Sequence, residues 1–129
     1  MEVIKIGNIR DLENFTAKLW PWDWLNECFS GGIRPTDVDG MVERNGHFLF
    51  LEGKTSGQSI PKGQEIALKK LSLALADKVL VLILFGRPGQ PTSFREIKSG
   101  LISDLMPCDI PIIQGICRDW FLKANDSWN

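Results

Sequence analysis

The apolar positions of this chain change period several times, and each change marks an element boundary. Near the start "VIKI" alternates as a short strand would. "LENFTAKLW" then repeats its apolar residues at helical spacing, capped by Asn8 or Asp11 and stopped before Pro21. "WDWLNECF" reads as a second short helix, closed by Ser30-Gly31-Gly32. Trp20, Trp22 and Trp24 are spaced for a strand or extended turn as well as for a helix, and they are expected to pack as core.

The middle of the chain is read from its turn residues. Asn45-Gly46 between "PTDVDGMVE" and "HFLFLEGK" is a strong hairpin signal, because a two-residue type I′ turn requires positive φ at both central positions. "TSGQSIPKG" is a loop of turn formers, and "QEIALKKLSLALAD" then puts Leu68, Leu71 and Leu75 on one helical stripe with Lys69 and Lys70 off it. "KVLVLILFG" reads as a strand buried on both faces. "RPGQP" breaks the chain. Ser93 and Glu96 have capping-box spacing for a helix through Ile97 and Leu101, with a strand as the alternative. From Ile112 onward Ile116, Trp120 and Phe121 suggest a short strand or loop running into a final helix that frays at "NDSWN".

Composition narrows the class. At 129 residues, 43% hydrophobic and 24% charged, the chain fits one globular domain spanning 1–129. The longest apolar run, Val79 to Phe85, falls far short of the roughly 20 residues of a membrane helix. The N-terminus has no basic stretch followed by an apolar one, so a cytoplasmic protein without membrane partners is expected. Cys28, Cys108 and Cys117 show no metal-ligand spacing and are expected as reduced, mostly buried thiols. With His47 the sole histidine, zinc sites and histidine triads have almost nothing to draw on. A net charge of −1 argues against indiscriminate coating of nucleic acid, though a local basic strip can be assembled from the mid-chain residues Lys54, Lys62, Lys69, Lys70, Arg87, Arg95 and Lys98.

Candidate chemistry comes from counting outward from the hairpin turn. If Arg44 faces His47, then Glu43 faces Phe48, Met41 faces Phe50, Asp39 faces Glu52 and Asp37 faces Lys54. Strand alternation sends Asp39, Glu52, Asp37 and Lys54 to one face. Directly opposed residues have β-carbons about 4.5 to 5.5 Å apart, where like charges repel. Two carboxylates so placed call for a shared proton or a divalent cation, and hard oxygen donors favour magnesium or manganese. The bland alternative is a solvated hairpin end in which Asp37 pairs with Lys54.

"PTDVDG", the hairpin, "FLFLEGK" and Gln64 opening the next helix together resemble the motifs of the PD-(D/E)XK nuclease superfamily, over about residues 35 to 85. Small members of that superfamily include Holliday-junction resolvases, which commonly act as dimers. The fold that the resemblance implies is α/β, a central mixed β-sheet flanked by helices in a restriction-endonuclease-like core. Asp39, Glu52 and the Gly53 carbonyl are implied to hold Mg2+ or Mn2+, with Lys54 orienting or activating the attacking water. Gln64 matches a glutamine that some branches place beside the site, and it reads equally as a helix N-terminal polar residue. Many members carry an acid on the first helix, for which Glu27 and then Glu13 are the candidates. Lys62, Lys69 and Arg87 are candidate nucleic-acid contacts, and Lys62 also reads as a solvated loop residue.

The implied activity is metal-dependent hydrolysis of phosphodiester bonds in DNA, endonucleolytic or exonucleolytic, by a homodimer that uses the Trp-rich N-terminal segment or the segment around Trp120. The alternative is a non-catalytic module that keeps the nuclease fold to bind nucleic acid or a protein. One departure from the superfamily is the short stretch between "WDWLNECF" and "TDVDG", which leaves little room for the strand usually found there.

Overall fold

Residues 20–126 are described by a computed structural model, so the expected "VIKI" strand, nearly all of the "LENFTAKLW" helix and Glu13 lie outside it. The chain divides between Thr36 and Asp37 into two compact units. In the first, residues Asp23–Cys28 form a 3-10 helix, as the pattern of "WDWLNECF" anticipated in part. The expectation of a tryptophan core there is overturned. Trp20 and Trp24 are 71% and 60% exposed; Trp22 is also exposed, and its ring stacks on Trp20. The Trp24 indole N–H donates to the Pro21 carbonyl at 2.8 Å, which satisfies the polar edge without burying the ring.

The second unit is built on one mixed sheet. Strands β1 (Gly40–Arg44) and β2 (His47–Lys54) form the expected hairpin, with Asn45 and Gly46 at φ 52° and 81°. The pairing is Arg44 with His47, Glu43 with Phe48 and Met41 with Phe50, the register read from the turn. Asn45 donates from Nδ2 to the Ala124 carbonyl, and Arg44 donates from Nε to Asn125, so the turn is anchored to the last helix.

After β2 the chain crosses over through helix α1 (Lys62–Ala74) and returns as β3 (Val79–Arg87), parallel to β2. Strand β4 (Gln90–Lys98) runs antiparallel to β3, and the short strands β5 (Leu101–Ile102) and β6 (Met106–Pro107) both pair with β4. Helix α2 (Ile110–Asp126) closes the described chain, and it is already helical at Ile112, where a short strand or loop was expected. The capping-box alternative at Ser93 and Glu96 is therefore wrong. A strand as fully buried as β3 needs hydrogen-bonded partners on both edges, and tertiary pairing overrides a four-residue capping signal.

The core lies on both sheet faces because β3 is apolar at successive positions. Val81, Ile83 and Phe85 point to one face, where they meet Ile97, Phe50 and Leu68 of α1. Leu82, Leu49 and Phe94 point to the other, where Ile113, Ile116, Cys117 and Trp120 of α2 cover them. The architecture is α/β, a six-stranded mixed sheet with a helix on each face. Ser72 is fully buried in α1, donates to the Lys69 carbonyl and accepts from the Gly100 N–H, which ties the helix to the β4–β5 turn.

The thiols are less buried than expected. Cys28 is exposed, and Cys108 and Cys117 are half-buried. Burial pushes the thiol pKa of Cys117 up, and burial followed by the charge of Asp109 does the same for Cys108. Among the described residues, no helix is long and apolar enough to cross a membrane.

Candidate functional site

The end of the β1–β2 ladder is where the sequence-predicted residues gather. The last paired step is Gly40 with Leu51, and one residue earlier Asp39 has left regular strand geometry. It still reaches across. The Gly53 N–H donates to Asp39 Oδ2 at 2.8 Å, and the Asp39 N–H donates to Glu52 Oε2 at 3.3 Å. Each acid thus caps a backbone donor on the opposite chain, replacing the ladder bonds that would have continued had β1 been longer.

Glu52 carries the unusual environment. It is 4% exposed, on the face of β2 that Phe48 and Phe50 share, and its neighbour on β3 is the fully buried Ile83. The other carboxylate oxygen, Oε1, accepts from Gln64 Nε2 at 2.9 Å, so the first turn of α1 is joined directly to the site. Both donors to this buried carboxylate are neutral, and no ion pair to it is formed among the described residues. Burying a carboxylate is costly unless it is fully hydrogen-bonded or paired with a cation. The amide oxygen of Gln64 is itself buried with no donor facing it, a second polar atom whose bonding capacity is unfilled.

The other predicted residues divide. Lys54 is half-buried at the end of β2, two positions beyond Glu52 on the same face and paired with Phe85. The pairing of Asp37 with Lys54 across the ladder is not formed, because β1 begins at Gly40 and the ladder ends there. Glu27 is an exposed residue of the 3-10 helix in the first unit. Lys62 is exposed at the start of α1, and Lys69 is held by Glu65 one turn earlier at 3.0 Å. Arg87 is exposed at the end of β3.

Arg95, which the sequence offers only as one member of a basic strip, takes a definite place in the sheet. It lies on β4 in one cross-strand row with Glu52 and Ile83, while Ser93 forms the next row with Lys54 and Phe85. Arg95 donates from a terminal nitrogen to the Ser103 carbonyl at 2.8 Å. Together with Ser59, Glu65, Phe85 and Ser93 it lines a cavity of about 590 Å³. The strand reading of "SFREIK" would have put Ser93, Arg95 and Ile97 on one face, and the helical alternative obscured it.

The donor set fits a hard divalent cation in kind. Two carboxylates and the Gly53 carbonyl are oxygen ligands of the type that magnesium and manganese prefer. Each acid oxygen bonded here accepts a single hydrogen bond, which leaves acceptor capacity on both. No cluster of three or more His, Cys, Asp or Glu side chains suited to a metal occurs among the described residues, so any such site rests on two acids and backbone. No protein family, curated protein or solved structure matches the chain.

Proposed function

We propose that the chain is a metal-dependent nuclease that hydrolyses phosphodiester bonds in DNA at the Asp39–Glu52–Lys54 cluster. The single observation that carries this reading is a buried glutamate beside a second acid, satisfied only by neutral donors and followed two positions later by a lysine on its own face. A restriction-endonuclease-like core of the PD-(D/E)XK type belongs to the same proposal. Its support is a hairpin, crossover helix and parallel strand in which Asp39, Glu52 and Gln64 are joined by hydrogen bonds and Lys54 follows Glu52 on the same strand face.

Asp39, Glu52 and the Gly53 carbonyl are the groups that would hold Mg2+ or Mn2+. When bound, such an ion supplies Lewis acidity and lowers the pKa of water to within reach of neutral pH. Gln64 fixes the Glu52 carboxylate through one oxygen and restricts its rotamers. Lys54 presents its ammonium from the same strand face and stabilises negative charge developing on the phosphoryl oxygens as water attacks in line. A near-neutral protein with a small face gains DNA-contact area by pairing, so a homodimer is part of the proposal.

Substituting Lys54→Ala is expected to remove magnesium-dependent cleavage of branched, linear or single-stranded DNA while the thermal melt stays within a few degrees. Full cleavage by that variant contradicts the mechanism. One observation favours a second reading, a nuclease-fold module without catalysis: the two acids already satisfy backbone N–H groups where the ladder stops, a structural use that needs no metal. On that reading no divalent ion binds in a carboxylate-dependent way.

A further inference from the structure

Around the carboxyl ends of β2 and β3 runs a groove of about 320 Å³, walled by Gly53, Lys54, Leu84, Arg87, Pro88 and Pro91. Its ionisable lining residues are Lys54 and Arg87, both cationic, in a chain of net charge −1. Two cations on one groove focus positive potential there. Leu84, Phe85 and the two prolines make most of the remaining wall apolar, with Thr55 a polar side chain beside them. Cationic beside apolar surface suits a ligand that carries phosphates next to apolar rings.

The backbone holds the groove open. β3 shifts register between Phe85 and Gly86, and Gly86 has φ 149°. A β-carbon there would lie 2.4 Å from the Gln90 carbonyl oxygen, so only glycine allows β4 to fold back this tightly. Gly89, at φ 76°, completes the turn after Pro88. A wall set by a bulge and a Pro-Gly turn is preorganised and gives up little entropy on binding.

Gly53 and Lys54 belong both to this groove and to the acid cluster, so a strand lying in the groove is led to Asp39 and Glu52. We infer that the groove holds an unpaired DNA strand next to the phosphodiester to be cut, with Arg87 on a neighbouring phosphate. The inference rests on the nuclease reading for its scissile bond. In a duplex the bases are paired and stacked inside the helix, so only a phosphate edge would reach this groove and its apolar wall would go unused. The substrate class is therefore DNA that is single-stranded at the point of cleavage, such as a tail, flap or gap.

The experiment measures fluorescence anisotropy of a labelled single-stranded oligodeoxynucleotide and of a blunt duplex of equal length, with the full chain in EDTA. The single strand is expected to bind more tightly than the duplex. Arg87→Ala is expected to weaken single-strand binding about five- to tenfold and to lower the slope of log affinity against log salt by about one. Lys78→Ala, at the far end of β3, is expected to leave the affinity unchanged. Equal affinity for strand and duplex, or an Arg87→Ala protein that binds as the wild type does, overturns the inference. Because cleavage plays no part in this readout, binding through Arg87 by a protein that never cuts DNA removes the nuclease reading alone. Cutting that is indifferent to Arg87 removes the groove alone.

Discussion

Glu52 is the residue at which the pattern of the chain and its packing conflict. The strand "HFLFLEGK" alternates its apolar side chains toward a core, then places a carboxylate on the same face, where 4% of it meets solvent. Gln64 is the residue that makes this tolerable, since its amide supplies one of the two hydrogen bonds on the carboxylate. Gln64→Ala leaves one oxygen of a buried acid without its side-chain donor and is expected to cost about 1 to 3 kcal/mol in urea unfolding. A polar side chain that merely decorated the start of a helix would change stability by about 0.5 kcal/mol or less. The sequence alone left these two roles for Gln64 equally open, because nothing in the spacing of Glu52 and Gln64 states which way α1 leans on the sheet.

Among the elements, the hairpin was the most legible. Asn45-Gly46 dictates positive φ at two successive positions, that dictates a two-residue loop, and the loop fixes the register from Arg44–His47 through Met41–Phe50. The same count was extended one step too regularly. β1 stops at Gly40, so Asp39 reaches Glu52 and Gly53 through side-chain bonds to backbone, and Asp37 has no ladder position opposite Lys54. The helix α1 and the buried strand β3 followed from their apolar spacing, whereas β4 was ambiguous, because its pairing with β3 is a long-range fact that no local window contains. The bulge at Gly86 is of that kind too. Gly86→Ala is expected to destabilise the protein by about 2 kcal/mol or more in denaturant titration, from the clash with the Gln90 carbonyl and the positive φ together. A neutral substitution there would mean that the β3–β4 turn relaxes without loss.

At the scale of the whole molecule, a net charge of −1 leaves the proposed recognition of DNA to local features rather than to overall attraction. Among the described residues the exposed aromatic side chains are Trp20, Trp22, Trp24 and Phe29 in the first unit and Phe121 on α2 in the second. The three tryptophans were expected in the core and are not there, whereas Trp120, the other candidate for a dimer contact, packs against the core. Light scattering at micromolar concentration is expected to give about twice the 14.5 kDa chain mass, and a value equal to the single chain removes the dimer from the account. The account as a whole depends on the acids at the end of the β1–β2 ladder taking a divalent ion. Calorimetric titration of Mn2+ into the wild-type protein, with Glu52→Gln as the paired control, tests this most directly. One saturable site in the wild type that is absent from a still folded Glu52→Gln protein is the predicted result. No binding heat in the wild type, or the same isotherm in both proteins, contradicts it.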